Sequence, residues 1–254
     1  MANIINFGCQ TSGEALICNP NLLHNWYFGN PINQRKVSGT ISDAGYFLDR
    51  WKLTSGTVTI NTDSITLDGT MIQILENGVG DDVVATVLTD SGVSEIIPSY
   101  DDTEKTLTVT ASGVVIRAVK LEIGSQQTLA HKNASGSWVL NEIPDYGSEL
   151  AKCQRFYFEP CGTSGTLGLG LGANNGNMII YMPIPVTMRK TPSVTANRVG
   201  NDDNGEYITI EGVVIAGFNA HQICLLASGA FTNNKIYNVG MSNAYAYLRM
   251  SADL

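Results

Sequence analysis

Residues 114–123 read VVIRAVKLEI, and this stretch decides the fold class. Its apolar positions alternate with Arg117, Lys120 and Glu122, which is the pattern of a β-strand with one face on a core and the other in water. The stretch therefore predicts a long strand in an antiparallel sheet, with these three charged side chains facing solvent.

The same period of two recurs on both sides of this strand. Upstream it runs from residue 56 to 75 in short apolar alternations separated by Asn, Asp, Ser or Gly. Downstream it returns after residue 156, with turn signals at 174–176 (NNG) and 203–205 (DNG). We therefore predict an all-β chain of two antiparallel β-sandwich domains.

One stretch, 144–155 (PDYGSELAKCQR), has helical spacing instead. Asp145 is a good N-cap, and the acidic residue early and basic residues late suit the helix dipole. The spacing predicts one short α-helix that joins the two domains and buries Leu150 and Cys153, which lie three residues apart on one face.

A strand predicted over 165–172 (GTLGLGLG) is unusual because glycine occupies alternate positions. Glycine weakens a strand unless another backbone approaches it closely. We expect such an approach here, from the same chain or from a neighbouring subunit.

Composition excludes several classes of protein. The 254 residues carry 23 acidic and 15 basic side chains, a net charge of −8, which argues against a general nucleic-acid binder or a binder of anionic membranes. The start lacks the pattern of a signal peptide, and no run of about 18 apolar residues predicts membrane insertion. Five cysteines without CxxC spacing predict reduced, mostly buried thiols rather than a disulfide framework. We expect synthesis in the cytoplasm.

The sequence offers little for catalysis. His24, His131 and His221 have no second histidine at metal-ligand spacing, and no GxSxG motif is present, so we predict no metal, no cofactor and no enzyme. Paired acids leave two alternatives open: a glycosidase needs two carboxylates, whereas carboxylates beside turns commonly bond their own backbone. These pairs are Asp81–Asp82, Asp101–Asp102 and Asp202–Asp203.

Aromatic and amide side chains suggest carbohydrate binding, because a sugar ring stacks on an aromatic face while amides bond its hydroxyls. Trp138 is one candidate, whereas Trp26 and Trp51 have strongly apolar neighbours and are assigned to the core. The predicted ligand-binding residues, for which subunit contact is the alternative, are Tyr207, Asn219, His221, Tyr237, Asn238 and Tyr245.

Four groups of residues, in chain order, resemble motifs of phage and prophage tail-fibre or receptor-binding proteins that contain a sandwich like a carbohydrate-binding module. They are 21–28 (NLLHNWYF) with 30–35 (NPINQR) and 45–51 (GYFLDRW), 119–124 (VKLEIG) with 128–130 (TLA), 145–157 (DYGSELAKCQRFY), and 182–194 (MPIPVTMRKTPSV). The matches span most of the chain.

The resemblance implies a virion protein in four parts: an N-terminal attachment segment over 1–20, a jelly-roll sandwich over 21–130, a linker with a short helix over 131–155, and a C-terminal β-sandwich knob over 156–254. It implies a homotrimer whose partners are other virion proteins and a host cell-surface glycan, recognised by the knob. The first sandwich is short for its type, which leaves open whether it binds sugar or serves as a spacer. The alternatives are a purely structural virion protein (head fibre, decoration protein or tail adaptor) and a polysaccharide depolymerase.

Overall fold

The computed structural model describes residues 9–11, 14–16, 18–93, 96, 98–160, 165–197, 199–203, 206–209, 212–241 and 247–253. Its named strands all pair antiparallel, and its regular structure is mostly β with one α-helix in the described ranges, which confirms the all-β prediction. Two compact units are present, Met1–Leu150 and Ala151–Leu254. No helix in the described part is long and apolar enough to cross a membrane.

The first unit contains eleven strands among the described residues, and seven of them form one sheet. Its strands are β1 (Cys9–Thr11), β2 (Glu14–Leu16), β3 (Gly39–Ile41), β4 (Gly45–Leu48), β5 (Trp51–Ile60), β6 (Ile65–Ile74), β7 (Val83–Thr89), β8 (Ser99–Asp101), β9 (Thr106–Ile123), β10 (Ala130–Lys132) and β11 (Trp138–Leu140). The sheet order is β3-β5-β6-β9-β7, with β4 paired to β5 and β8 to β9. Strands β1 and β2 form one hairpin and β10 and β11 another. The long strand predicted from VVIRAVKLEI is the second half of β9.

Trp51 lies at the centre of the first core. It is completely buried and packs edge-to-face on Phe28, with ring centroids 5.6 Å apart. Trp26 is also buried, so the assignment of both tryptophans to the core is confirmed.

Asn25 holds the 21–28 segment in place. Its side-chain amide donates to the carbonyl oxygens of Ile32 (2.9 Å) and Asp49 (2.8 Å), and Oδ1 accepts from the Ile32 N–H at 2.7 Å. The Asn25 backbone N–H donates to the Glu149 carboxylate, and its carbonyl accepts from the indole of Trp51. Asn25 has a positive φ of 55°, a conformation that asparagine tolerates better than most residues. One asparagine thus connects the 21–28 segment to residues 32, 49, 51 and 149.

Two charged residues of β9 are buried, contrary to the prediction that they face water. Lys120 and Glu122 have no exposed surface, whereas Arg117 is partly exposed and pairs with exposed aspartates. Lys120 Nζ donates to Thr128 Oγ1 (2.9 Å) and Glu142 Oε1 (3.2 Å), and Glu122 accepts from the N–H and hydroxyl of Thr128. Burial of these charges is tolerated because each has partners of opposite polarity.

The predicted helix is present as α1 (Tyr146–Gln154). Asp145 caps it, since its Oδ1 accepts hydrogen bonds from the Ser148 N–H and hydroxyl, both at 2.8 Å, and these bonds lower the Asp145 pKa. Cys153 is buried as predicted, but Leu150 is only half-buried and Glu149 is buried in its place. The reason is chemical: Glu149 supplies the acceptor for Asn25.

The second unit is a pair of sheets around one core. Its strands are β12 (Tyr157–Phe158), β13 (Gly165–Gly172), β14 (Asn177–Pro183), β15 (Ser193–Asn197), β16 (Val199–Asp203), β17 (Glu206–Thr209), β18 (Gly212–Phe218), β19 (Gln222–Ser228), β20 (Ile236–Met241) and β21 (Tyr247–Ser251). A short 3₁₀ turn, Asn174–Gly176, precedes β14. The sheets are β12-β21-β15 and β17-β16-β20-β13-β14-β19-β18. Side chains from both sheets share one buried cluster, including Leu225 and Met250.

The glycine-rich strand β13 inverts the usual pattern. A Cβ on Gly170 would lie 2.2 Å from the Met178 sulfur, and one on Gly172 would lie 1.9 Å from the Thr232 carbonyl oxygen. The expected close backbone approach is therefore found at Gly172, within the same chain. Leu169 and Leu171, on either side of Gly170, are exposed.

Candidate functional site

A cavity of about 170 Å³ opens on the first unit, and we call it the His24 cavity. By volume it corresponds to roughly five or six water molecules of the liquid. It is lined by Leu22, His24, Arg50, Gln73, Leu75, Glu76, Asn77 and Val79. These residues come from three places: the 21–28 segment, the turn between β4 and β5, and the end of β6 with the turn that follows it.

Gln73 fixes the position of His24 at the wall of this cavity. Its Oε1 accepts from the His24 backbone N–H at 2.8 Å, and its Nε2 donates to the His24 carbonyl at 2.9 Å. Gln73 is almost completely buried and substitutes for a paired strand, which satisfies both backbone groups of His24.

Arg50 brings a guanidinium to the same cavity from the β4–β5 turn. Its backbone φ is 73°, and its side chain donates to the Ile74 carbonyl. The preceding residue anchors the turn: the completely buried Asp49 accepts from the Gln34 N–H at 2.6 Å. The Arg50 guanidinium is buried, and its hydrogen bond to the Ile74 carbonyl fixes its position. Guanidinium N–H groups are donors of the kind that bind oxygen-rich ligands.

Asp102 holds the rim of the cavity. Its Oδ1 accepts from the backbone N–H groups of Val79 (2.7 Å) and Gly80 (2.8 Å) and from the Tyr100 hydroxyl (2.9 Å). The hydrogen bonds from Gly80, Tyr100 and Val79 lower the pKa of Asp102. Burial, together with the Asp102 carboxylate, raises the pKa of Tyr100. A Cβ on Gly78 would lie 2.8 Å from the same Oδ1, so this turn fits tightly around the carboxylate.

The lining has the chemistry of a site for a polyhydroxy ligand. Arg50 supplies donors, Glu76 supplies acceptors, and Asn77 supplies both, while Leu75 and Val79 offer an apolar wall. None of the eight lining residues is Phe, Tyr or Trp, so a sugar in this cavity would be held mainly by hydrogen bonds to its hydroxyls.

The structure does not gather the six predicted ligand-binding residues in one place. Tyr237 is buried in the second core, where its hydroxyl accepts from the Thr232 N–H at 2.6 Å. Asn238, the next residue, is exposed. The β-sheet register puts Tyr207 opposite Asp202, and Asp202 opposite Asn238.

Asn219 and His221 lie at the opposite edge of the seven-stranded sheet in the second unit, next to β18 and β19. Asn219 and His221 are exposed in the turn between β18 and β19, where Asn219 Oδ1 accepts from the His221 and Gln222 N–H groups, both at 2.9 Å. The side chain of Tyr207 and the whole of Tyr245 lie outside the described residues. Ligand binding by this set stays a prediction.

Some of the other candidate groups have local partners in the structure. Asp101 accepts from the Glu104 N–H at 2.9 Å, and Asp102 has the rim bonds above, so this acid pair organises turns. Trp138 is half-buried and packs on the core, with Lys132 Nζ 5.5 Å from its ring. Cys18, Cys153 and Cys224 do not form disulfides. Within the described ranges, no group of three His, Cys, Asp or Glu side chains is placed to hold a metal ion.

Sequence reasoning missed the His24 cavity because its residues are far apart and individually ordinary. The one available signal was the DRW motif at 49–51, which places an arginine beside two residues that pack inward. A search of protein-family models, curated proteins and solved structures found no match to this chain.

Proposed function

We propose that the chain is a phage virion protein of the receptor-binding class, a tail fibre or spike that binds a host cell-surface glycan as a multivalent oligomer of identical chains and has no catalytic role. Its proposed partners are other virion proteins, reached through the N-terminal segment, and the glycan itself. The ordered motif series supports the class of protein. The observation that carries glycan binding is the His24 cavity, in which Arg50, Glu76 and Asn77 converge beside an apolar wall.

A shallow site of this kind suits a multivalent adhesin. A single site of about millimolar affinity contributes about 4 kcal/mol, and linking copies raises avidity by about 10²–10⁴ without new contacts. The proposed site therefore does not need the deep, enclosed pocket of a high-affinity small-molecule binder.

Retention of the full chain on immobilised bacterial capsular and cell-wall polysaccharides tests the proposal. Asn77→Ala and Glu76→Gln each remove hydrogen-bonding capacity at the cavity while leaving the buried core untouched, so we expect at least tenfold weaker retention. Glu104→Gln, in an exposed turn of the same unit, is the matched control and is expected to bind as wild type.

Two outcomes count against the proposal. If the wild-type protein is retained on none of the polysaccharides, glycan binding is wrong. If it is retained and both cavity variants bind equally well, the glycan site lies elsewhere and the assignment to the His24 cavity is wrong.

A second candidate is a purely structural virion protein, such as a head fibre, decoration protein or tail adaptor. The observation that favours it is an exposed apolar sheet face on the second unit, which suits permanent contact with another protein. Copy number and location on the purified particle separate the two functions, because a receptor-binding spike occupies the tail in few copies and a decoration protein covers the head in many.

A further inference from the structure

One face of the seven-stranded sheet in the second unit is apolar and exposed. Among the described residues, eight large hydrophobic side chains are exposed, and five of them lie on this face. Their exposed fractions are 61% for Leu169, 46% for Leu171, 58% for Tyr181, 60% for Val214 and 65% for Ile236. Such clustering differs from the scattered apolar residues of an ordinary surface.

The backbone register aligns this face into two rows across the strands β20, β13, β14, β19 and β18. The first row is Ile236, Leu171, Ile179, Leu226 and Val214, each paired with the next. The second row contains Asn238, Leu169, Tyr181, Cys224 and Gly217. We call these ten residues the outer face.

The origin of the outer face is the inverted strand β13. Gly170 and Gly172 turn inward, where Met178 and the Thr232 carbonyl leave no room for a side chain, and the alternating leucines are therefore directed outward. An isolated sheet gains nothing from exposed leucine at these positions, whereas a sheet that meets another surface buries them.

Charge indicates what covers the outer face. None of its ten residues is Asp, Glu, Lys, Arg or His, although the whole chain carries a net charge of −8. Two copies of the chain repel each other at most other surfaces but meet here without bringing charges together. A charged partner finds no complementary group on this face.

Area and layout agree with a second copy. The outer face and its polar border together span five strands spaced about 4.8 Å apart and, along β14 and β19, seven residues rising about 3.4 Å each, which gives about 24 Å by 24 Å, or about 600 Å². Two such faces bury about 1,200 Å² in total, which is the lower limit of stable protein interfaces. Polar residues border the apolar rows, with Asn177 and Ser228 at one end and Gln222 at the other, as in an interface with an apolar centre and a polar rim.

We propose that the outer face is the self-association surface of this protein, covered by the same face of a second copy. The inference rests on the multivalent part of the proposed function. A face that covers its own copy joins two chains about a two-fold axis, so we expect a dimer through this face in place of the homotrimer that the resemblance implies. Aligned sheets pack about 10 Å apart, a separation at which the two leucine rows interdigitate.

Light scattering on the full chain over a range of concentrations tests this. We expect wild type to have a mass of twice 27.3 kDa. Leu171→Lys puts a charge inside the first row, and Val214→Lys puts one at its end. Each is expected to lower the mass to 27.3 kDa while circular dichroism stays unchanged, because both side chains are exposed in the single chain. Ile123→Lys, an equally exposed apolar residue of the first unit, is the matched control and should leave the mass unchanged.

The outcomes separate this inference from glycan binding. A monomeric wild-type protein, or an oligomer that both lysine variants leave intact, overturns the assignment of the outer face. If the lysine variants are monomeric and still bind polysaccharide through their unchanged His24 cavity, both proposals stand. The apparent affinity of the variants for immobilised polysaccharide is then expected to be at least about 100-fold lower than that of wild type, because avidity is lost. If the variants are monomeric and no polysaccharide is bound, the interface stands and the proposed function fails.

Discussion

Replacing Asn25 by alanine is expected to destabilise the first unit strongly. The substitution leaves the Ile32 N–H and the Asp49 carbonyl without the side chain that now bonds them at 2.7 and 2.8 Å in the protein interior. Each buried group left unsatisfied costs about 1–3 kcal/mol. Alanine at a φ of 55° adds about 1–2 kcal/mol of backbone strain. The lower limits of these three costs sum to about 3 kcal/mol.

The assay is equilibrium urea unfolding followed by tryptophan fluorescence. All three tryptophans of the chain, Trp26, Trp51 and Trp138, belong to the first unit, so the signal reports the unit that contains the substitution. Asn25→Gly removes the same hydrogen bonds without the backbone strain and is expected to be about 1 kcal/mol more stable than Asn25→Ala. Asn30→Ala, at an exposed position nearby, is the control and should change stability by less than about 0.5 kcal/mol.

The reasoning is refuted if Asn25→Ala lowers the free energy of unfolding by less than about 1 kcal/mol. That result would mean that the Ile32 and Asp49 backbone groups find other partners when the amide is removed. An equal effect of the alanine and glycine variants would show that the left-handed backbone at this position is not a source of strain.

Two further predictions concern the cavity rim and the second core. Hydrogen bonds lower the pKa of Asp102, so its contribution to stability is present above the unfolded-state value of about 4 and is lost as pH falls through the folded-state value. Asp102→Asn should therefore be less stable than wild type at pH 7, with the difference shrinking towards pH 3 in the fluorescence assay; a pH-independent difference would contradict this. Gly172→Ala brings a Cβ within 1.9 Å of the Thr232 carbonyl and is expected to cost about 1–3 kcal/mol in calorimetric unfolding of the second unit, whereas Gly217→Ala, in the same unit and with no contact closer than 3.5 Å, should be neutral or stabilising.

The fold class was predictable from the sequence because strand period and helix caps are local signals. The alternation in β9 and the Asp145 cap of α1 both depend on neighbours within a few residues, and both were found where predicted. Burial was less predictable where a distant partner decides it. Lys120 and Glu122 look like solvent-facing charges until Thr128 and Glu142 are brought beside them.

The candidate site was harder to predict for the same reason. The helix face was expected to bury Leu150, but the Asn25 N–H, 124 positions away from Glu149, needs a carboxylate there. In the His24 cavity, Gln73 and Arg50 are ordinary strand and turn residues until folding places them around His24. In the second unit, aromatic type alone did not distinguish Tyr237, which is in the core, from a surface ring that is open to a ligand.

The long-range bonds of the 21–28 segment impose an order on biosynthesis. Asn21 bonds to residues 98 and 100 positions later in the chain, and Asn25 bonds to one 124 positions later. At a translation rate of about 5–20 residues per second, the segment waits about 6–25 s on the ribosome for its last partner. Until β9 has been synthesised, Leu23, Trp26 and Phe28, all buried in the finished protein, lack the strand that bonds to this segment. The recovery of native protein from an expression host is therefore expected to depend more on chaperone supply and translation rate than on the final stability of either unit.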